Sequence, residues 1–227
     1  KKNHIILGIH DGHDCSCCLM INGKIVYAAQ EERFTKLKND YGFPKKAIEN
    51  CLKYTGIKAD EISCVALGTN YLNPVLSKLK RNANFSIKNW IEEQELFWLP
   101  KIFHKKKVSY WDIFKNNKKP LHDKHYNYNG IIKSYMSKKE MKIFRERRIL
   151  KISQFLKIDK TKIRIISHED CHRYYAYYFF GHNKNGVCVT AEGIGDYSNG
   201  SVSTIKENKI KEIINNTENH LGHIYQF

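Results

Sequence analysis

Three short segments with strand character follow one another at the amino terminus, and their order restricts the fold more than any other feature of the chain. Ile5 to Ile9 is apolar, and the segments from Ser16 to Ile21 and from Lys24 to Gln30 have the composition of strands. Asn22-Gly23, between the last two segments, is typical of the two-residue turn of a β-hairpin. The sequence therefore predicts three consecutive strands, the last two joined as a hairpin.

A helix and a fourth strand are predicted after the hairpin. Pro44 is suited to the first turn of a helix, and Gly56 lies where such a helix would end. Apolar residues recur at helical spacing between them, and the apolar segment from Ser63 to Leu67 predicts the fourth strand. This β-β-β-α-β order fits an α/β fold, the actin/hexokinase-type ATPase-like (ribonuclease H-like) half-domain, in which the first hairpin turn approaches the nucleotide phosphates.

Two histidines in the last third of the chain, His168 and His172, are four residues apart. On a helix this spacing places both rings on one face, where they can bind one metal ion. The alternative is a chance pair on a solvated helix face. Further on, the apolar segment from Val187 to Thr190 predicts a strand that leads into an acidic, glycine-containing turn, from Glu192 to Asp196. Turns of this kind cradle phosphates, so the region predicts a site for a metal and a nucleotide together.

Six segments, in order along the chain, resemble the O-carbamoyltransferases of the NodU/CmcH kind. They cover roughly the first and last thirds of the sequence, and the middle third shows no such likeness. The segments begin at Gly12, Gln30, Asn39, Ser167, Thr190 and His220 and read GHDCSCCL, QEERFT, NDYGFP, SHEDCHRYYAY, TAEGIGDYSNGS and HLGHIY. The resemblance identifies the chain as similar to the amino-terminal part of the carbamoyl-transfer domain.

The resemblance implies roles for two turns. The family uses the first turn at its carbamoyl-transfer centre, so His13, next to Asp14, is the candidate to accept the proton of the attacking hydroxyl. The alternative is a histidine that only hydrogen-bonds the backbone of the turn. Glycine lets backbone N–H groups approach an anion, and both turns contain it. The candidate nucleotide-binding residues are Asp11 and Gly12 in the first turn, and Gly193, Gly195 and Ser201 in the second.

The metal site implied by the resemblance comprises His168, His172 and Glu192. Glu192 stands where the family has Asp, and its longer side chain can still reach a metal held by the two histidines. The family's last metal-binding Asp would lie beyond Phe227. The metal implied is iron, although two histidines with carboxylates also suit zinc or manganese. Glu31 to Arg33 either position the carbamoyl group or form ion pairs, and both interpretations stay open.

The positive charge of the chain is concentrated in its middle. Between Lys78 and Arg164 the sequence has 24 Lys and Arg residues against 8 Asp and Glu residues, whereas the rest of the chain is balanced. Aromatic residues are interleaved with the lysines, so the segment is too apolar for a disordered tail. We predict a mainly helical insertion with helices from Ser86 to Trp98 and from Lys138 to Phe155, and a loop from Asn116 to Pro120.

This pattern predicts two regions. Residues 1–75 and 165–227 form an incomplete ATPase-like carbamoyl-transfer domain, and residues 76–164 form the basic helical insertion. The insertion is a solvated lysine-rich surface, or an acceptor groove for a polyanionic glycan or a sugar nucleotide, or a surface that meets a partner domain. Nucleic-acid binding is the weaker alternative, because no recognised binding motif accompanies the charge.

Composition adds two expectations. The chain has seven cysteines without a paired CxxC zinc spacing, which favours reduced thiols in a cytoplasmic protein. No apolar run is long enough to span a membrane, so no membrane partner is expected.

The predicted function is transfer of a carbamoyl group from carbamoyl-adenylate, made from ATP, to a hydroxyl of a sugar, antibiotic or glycan. The chain is then a fragment of a longer enzyme whose carboxy-terminal synthase-like domain is missing. One alternative is a tRNA threonylcarbamoyl transferase-like protein, with the basic segment as an RNA surface. Another is a non-catalytic binding or scaffold protein.

Overall fold

The residues that the computed structural model describes form a five-stranded and a three-stranded β-sheet, each with a helix packed against it. The structure describes residues 3–38, 40–72, 87–114, 126–128, 130–131, 138–181, 185–193, 195–196, 198–207, 209–218 and 221–222. The strands of this part are β1 (Ile5–His10), β2 (Ser16–Ile21), β3 (Lys24–Gln30), β4 (Cys64–Gly68), β5 (Ile163–Ile166), β6 (Gly186–Ala191), β7 (Gly200–Lys206) and β8 (Lys209–Asn216). The α-helices are α1 (Glu32–Thr35), α2 (Lys45–Thr55), α3 (Ile87–Glu93), α4 (Leu99–Ile102), α5 (Tyr110–Phe114), α6 (Lys138–Leu156) and α7 (His168–Gly181).

The first five strands form one mixed sheet in the order β3-β2-β1-β4-β5. β1 is antiparallel to β2, with Ile5 opposite Ile21, and parallel to β4. β2 and β3 form the predicted hairpin, which turns at Asn22 and Gly23, both with positive φ (50° and 82°). The α/β prediction is confirmed, and strands β1 to β4 begin and end within one residue of the predicted bounds.

The parallel strands of this sheet bring three segments to one edge. Because β1, β4 and β5 run in the same direction, the residues that follow them emerge on the same side. These are the turn of residues 11–14, the turn of residues 69–72, and Ser167 with the start of α7. Ligands of open α/β sheets bind in the crevice outside the carboxyl ends of the strands. The fold thus places the first predicted turn beside the predicted metal-binding helix.

Helix α2 covers one face of this sheet and is fixed at both ends. The carboxylate of Glu31 accepts the backbone N–H groups of Lys46 and Ala47, at 3.0 and 2.7 Å, in the first turn of the helix. Gly56 ends the helix with a φ of 70°. Glu31 is 1% exposed, so the structure gives it a helix-capping role that neither sequence interpretation of this residue included.

The described part of the basic middle segment is largely helical. The helix predicted from Lys138 to Phe155 is confirmed as α6, and the one predicted from Ser86 corresponds to helical residues 87–98, with π-type turns at Gln94–Trp98. The predicted loop from Asn116 to Pro120 lies outside the described residues. Phe144, Ile152 and Leu156 of α6 belong to the same buried cluster as strands β1 and β4. Helix α6 is therefore part of the core, and the division into domain and insertion stays a prediction.

The second sheet is an antiparallel meander in the order β6-β7-β8. Helix α7 packs against it, and Tyr177, Cys188 and Ile205 form its small buried cluster. All seven cysteines of the chain lie in the described residues, and none of them forms a disulfide bond. In the part of the chain that the structure describes, no helix combines the length and the apolar character needed to cross a membrane.

Candidate metal and transfer site

The start of helix α7 sets the direction of the two predicted metal ligands. The hydroxyl of Ser167 accepts the backbone N–H of Asp170 at 3.1 Å, and its carbonyl accepts that of Cys171 at 3.0 Å. Ser167 is therefore the N-cap, and the helix begins at His168. The spacing of four residues then places His168 and His172 on one face, with ring centroids 4.7 Å apart.

The structure brings His168, His172 and Glu192 together into a three-residue cluster. The Nε2 atoms of the two histidines are 3.2 Å apart. The Glu192 carboxylate lies 3.5 Å from Nε2 of His168 and 3.1 Å from Nε2 of His172. Three lone-pair-bearing groups from a helix and a strand end thus converge on one point, which is the arrangement that the sequence predicted for the metal ligands.

The cluster is charged and accessible. A hydrogen bond to Glu192 is the largest influence on His168 and raises the pKa of its imidazole above the ordinary value, although partial burial opposes the rise. The same hydrogen bond lowers the pKa of Glu192. The His172 side chain is 48% exposed. A cation arriving from solvent would meet an ionised carboxylate and would replace the proton of the imidazole.

The three side chains fit a divalent metal. Ligand atoms about 2.0–2.2 Å from a metal lie roughly 3.0–3.5 Å from one another in tetrahedral or octahedral coordination. The two Nε2 atoms are 3.2 Å apart, and each lies 3.5 or 3.1 Å from a different oxygen of Glu192. One ligand atom of each side chain lies within 4.8 Å of the other two. Two imidazole nitrogens with one carboxylate oxygen suit iron, zinc or manganese. The geometry favours the ligand interpretation of the histidine pair over a solvated helix face, and metal binding itself stays a prediction.

The first turn lies near this cluster. His13 is an electrostatic influence on the pKa of Glu192, and His168 is one on that of His10. The His13 side chain is 73% exposed, and its Nδ1 is 3.1 Å from a carboxylate oxygen of Asp14. Below it, Nε2 of His10 donates to the His13 carbonyl at 2.9 Å. The turn therefore presents an accessible imidazole oriented by a neighbouring carboxylate, the arrangement of a general base.

Asp11, predicted to flank a phosphate, has protein partners on both carboxylate oxygens. Arg148 of α6 donates to Oδ1 from Nη2 at 2.6 Å and to Oδ2 from Nε at 2.7 Å. The hydroxyl of Tyr126 donates to Oδ2 at 2.5 Å. Asp11 and Arg148 are both 0% exposed. The structure thus gives Asp11 a place in a buried ion pair, and contact with a nucleotide stays a prediction for it and for Gly12.

The second predicted turn is held by internal contacts as well. Ser201 is buried in β7, and its hydroxyl accepts two bonds from Arg173, at 3.2 and 2.8 Å, and lies 2.8 Å from Oγ1 of Thr190. A Cβ at Gly195 would collide with the carboxylate of Glu169 and the carbonyl of Ser198. The close approach of other protein groups thus accounts for the glycine at position 195. Nucleotide binding by Gly193, Gly195 and Ser201 stays a prediction.

The sequence assigned no role to Asp196, although it lies in the second turn. Its carboxylate accepts three backbone N–H groups, from Asn70 at 2.6 Å, Tyr71 at 2.9 Å and His168 at 2.8 Å. Asp196 therefore joins the turn after β4 to the start of α7. The position of Asp196, as the second acid of a glycine-containing turn, could have identified it from the sequence. No such signal marks Arg148, which is one basic residue among many in its segment.

Comparison with known proteins gives relatives of two kinds. Over 64 residues the chain is 45% identical to Uncharacterized protein MJ1051 of Methanocaldococcus jannaschii, covering 28% of this chain and 12% of that protein. Over 69 residues it is 30% identical to Nodulation protein NolNO of Sinorhizobium fredii, covering 30% of this chain and 10% of that protein. The matched stretches therefore span about a tenth of each relative's length.

Among solved structures, YeaZ from Pseudomonas aeruginosa matches with a TM-score of 0.41 and 8% identity, over 93% of this chain and 65% of that one. That likeness is too loose to define the fold. The family model described as Carbamoyltransferase N-terminus matches residues 5–227, nearly the whole chain. The resemblance that six sequence segments indicated is confirmed: the chain belongs to the carbamoyltransferase N-terminus family.

Proposed function

We propose that the protein transfers a carbamoyl group from carbamoyl-adenylate to the hydroxyl of a small molecule or glycan. The observation that carries this proposal is the three-residue cluster of His168, His172 and Glu192 beside the exposed His13, in a chain that belongs to a carbamoyltransferase family. The adenylate would be formed from ATP by a synthase-like domain of the longer protein. Both that domain and the identity of the acceptor belong to the proposal.

The transfer is an acyl substitution. The acceptor oxygen attacks the carbamoyl carbon, the bond from that carbon to the phosphate oxygen breaks, and AMP leaves with the electron pair. The hydroxyl proton passes to His13, whose imidazole Asp14 orients from 3.1 Å. The adenylate phosphate would lie between the first turn and the turn of Gly193 and Gly195.

A metal would be held by His168, His172 and Glu192. When bound, it supplies Lewis acidity that neutralises negative charge on the carbamoyl or phosphate oxygens. Glu192 contributes an anionic ligand and the two histidines contribute neutral ones, so the site keeps a net positive charge facing an anionic substrate. Iron is the proposed metal, because the donor set suits it and the family resemblance implies it.

We also propose that the five-stranded sheet is the first half of an actin/hexokinase-type, ATPase-like domain. Its strand order β3-β2-β1-β4-β5, with β2 antiparallel to its neighbours, supports this assignment. The meander β6-β7-β8 would begin the second half, because it also opens with a strand that leads into an acidic turn. The nucleotide would then bind between the two acidic turns.

The test uses synthetic carbamoyl-adenylate with the purified chain and a panel of sugar and aminocyclitol hydroxyl acceptors. We expect AMP release coupled to a mass increase of one carbamoyl group on an acceptor, slowed roughly 10²–10⁴-fold in His13→Asn if His13 is the base. Lys53→Gln, a change at an exposed lysine of helix α2 outside the site, is the matched control and should keep the wild-type rate.

Two results would count against the proposal. If neither AMP nor carbamoyl-adenylate binds the chain, the non-catalytic alternative is favoured. If AMP release is the same in wild type and His13→Asn, the base must be another group.

A further inference from the structure

Thr69, directly after strand β4, has an unusual backbone conformation. Its φ is 77°, in the left-handed region that glycine and asparagine tolerate and β-branched residues avoid. It is the one β-branched residue with positive φ in the part of the chain that the structure describes. A residue held in this region costs free energy, and such residues cluster at functional sites.

Contacts on both sides of Thr69 hold this conformation in place. The guanidinium of Arg148 donates to the carbonyls of Gly68 at 3.1 Å, Thr69 at 3.0 Å and Asn70 at 3.4 Å. The carboxylate of Asp196 accepts the N–H groups of the two residues that follow Thr69. The peptide groups around Thr69 are therefore bound by a cation on one side and an anion on the other, and these bonds stabilise the left-handed conformation.

The strained turn directs the Thr69 side chain towards a proposed metal ligand. Its Oγ1 lies 3.5 Å from Nδ1 of His168, while Nε2 of the same ring faces His172 and Glu192. A neutral imidazole carries one N–H. If a hydroxyl accepts that N–H at Nδ1, the lone pair is left at Nε2, on the side of the cluster. Asp196 holds both residues of this contact in place, because it accepts the N–H groups that follow Thr69 and also the backbone N–H of His168.

We propose that Thr69 is a positioning residue for His168: its hydroxyl accepts the Nδ1–H and so sets the tautomer and the ring orientation that present Nε2 to a metal. This inference rests on the metal site of the proposed function. Histidines that bind metals nearly always donate their other N–H to a fixed acceptor, and losing that acceptor weakens metal binding. The left-handed conformation of Thr69 is then required for this contact, since a change in φ would move the hydroxyl away from the imidazole ring.

The test compares Thr69→Val with Thr69→Ser in the full chain. Valine keeps the shape and the branching at Cβ but removes the hydroxyl, whereas serine keeps the hydroxyl. Co²⁺ is the probe, because its visible absorption reports coordination directly. We expect Thr69→Val to bind Co²⁺ roughly 10–100-fold more weakly than wild type, and Thr69→Ser to bind it nearly as well. If Thr69→Val does not fold, Thr69→Ala serves as the second variant without a hydroxyl.

A second readout makes the two hypotheses separable. The readout is taken in metal-free protein at about pH 5.5, where the His168 ring carries both protons and Nε2 donates to Glu192. Thr69 is then the acceptor for the Nδ1–H, so we expect this proton to exchange slowly with water in wild type and Thr69→Ser and fast in Thr69→Val. Equal Co²⁺ affinity in wild type and Thr69→Val, or fast exchange of the Nδ1–H in wild type, would overturn the role of Thr69. Wild type that binds no Co²⁺ but shows slow exchange would overturn the metal site and leave the Thr69–His168 contact supported.

Discussion

Two charged clusters lie at the same edge of the five-stranded sheet and differ in how completely the chain satisfies them. In the first, Asp11 and Arg148 are fully buried, and every N–H of the guanidinium has an acceptor on Asp11 or on a carbonyl of residues 68–70. In the second, the side chains of His168, His172 and Glu192 are 21%, 48% and 19% exposed, and their ring nitrogens and carboxylate face one another.

This difference in exposure indicates different roles for the two clusters: the buried one stabilises the fold, and the exposed one is available to bind a ligand. A buried ion pair with all its donors matched has nothing left to offer a ligand, and its value is to fix the elements that it joins, here β1, β4 and α6. An exposed group of three ligand atoms is completed only by something from solvent. The first cluster should therefore control the stability of the fold, and the second should control what binds to it.

The largest expected effect is on stability. Arg148→Met should lower the free energy of unfolding by about 3–5 kcal/mol, because it leaves the Asp11 carboxylate buried without its counter-charge. Arg147→Met is the matched control, since the side chain of Arg147 donates to the carbonyl of Asn127 at an exposed position, and losing such a hydrogen bond should cost about 1 kcal/mol or less. Urea denaturation followed by circular dichroism measures both.

If the two clusters have different roles, variants of the exposed cluster should have a smaller effect on the free energy of unfolding than Arg148→Met has. His172→Ala should change the free energy of unfolding by less than about 0.5 kcal/mol, because the side chain is nearly half exposed. The paired change Asp11→Leu with Arg148→Met should recover part of the loss, since it removes both buried charges but leaves the carbonyls of residues 68–70 without the guanidinium. A His172→Ala loss as large as that of Arg148→Met would show that the second cluster is structural as well.

The next effect is on metal affinity. Glu192→Gln should weaken Co²⁺ binding by roughly 100-fold or more, beyond what loss of an outer partner causes, because it replaces an anionic ligand with a neutral amide. Glu192→Asp should stay within about tenfold of wild type, since it keeps the charge and introduces the acid that the family resemblance implies at this position. Titration of both variants and of wild type by visible absorption gives the three constants.

This measurement also tests the family assignment of the site. Equal Co²⁺ affinity in wild type and Glu192→Gln would remove Glu192 from the ligand set. Loss of binding in Glu192→Asp alone would show that the longer side chain is required in this chain.

The sequence predicted those features of the fold and of the candidate site that a short stretch of residues determines by itself. The Asn22-Gly23 turn and the spacing of His168 and His172 are readable because each pattern determines its own geometry within a few residues. The hairpin and the histidine pair followed from such patterns, whereas Glu192 was added to the cluster by the family resemblance.

The Asp11–Arg148 pair and the left-handed Thr69 could not be predicted in this way. Arg148 is 137 residues from Asp11 and lies in a segment with many similar side chains, so nothing local distinguishes it. The φ of Thr69 goes against its own preference and is imposed by Arg148 and Asp196 from distant parts of the chain. Tertiary contacts decide both features, and no short window of sequence contains them.

The smallest expected effect concerns His10, which lies between the two clusters and should behave like the buried one. Burial is the largest influence on this ring and lowers its pKa below the ordinary value, while Asp11 partly opposes the shift and His13 and His168 add to it. The folded chain then binds fewer protons at this ring than the unfolded chain does. Stability should therefore fall as pH drops below about 6.5, the pKa of an unfolded histidine, and should be insensitive to His10 above it.

His10→Asn should flatten the slope of unfolding free energy between about pH 5 and 6.5, because the substituted side chain has no proton to gain. Urea titrations of wild type and variant at several pH values across that range give the two slopes. The protonation of the His10 ring can be followed separately by NMR. An unchanged slope, with a His10 ring that protonates near pH 6.5 in the folded chain, would contradict this prediction. His10 would then behave like the accessible cluster, and the buried region would begin at Asp11.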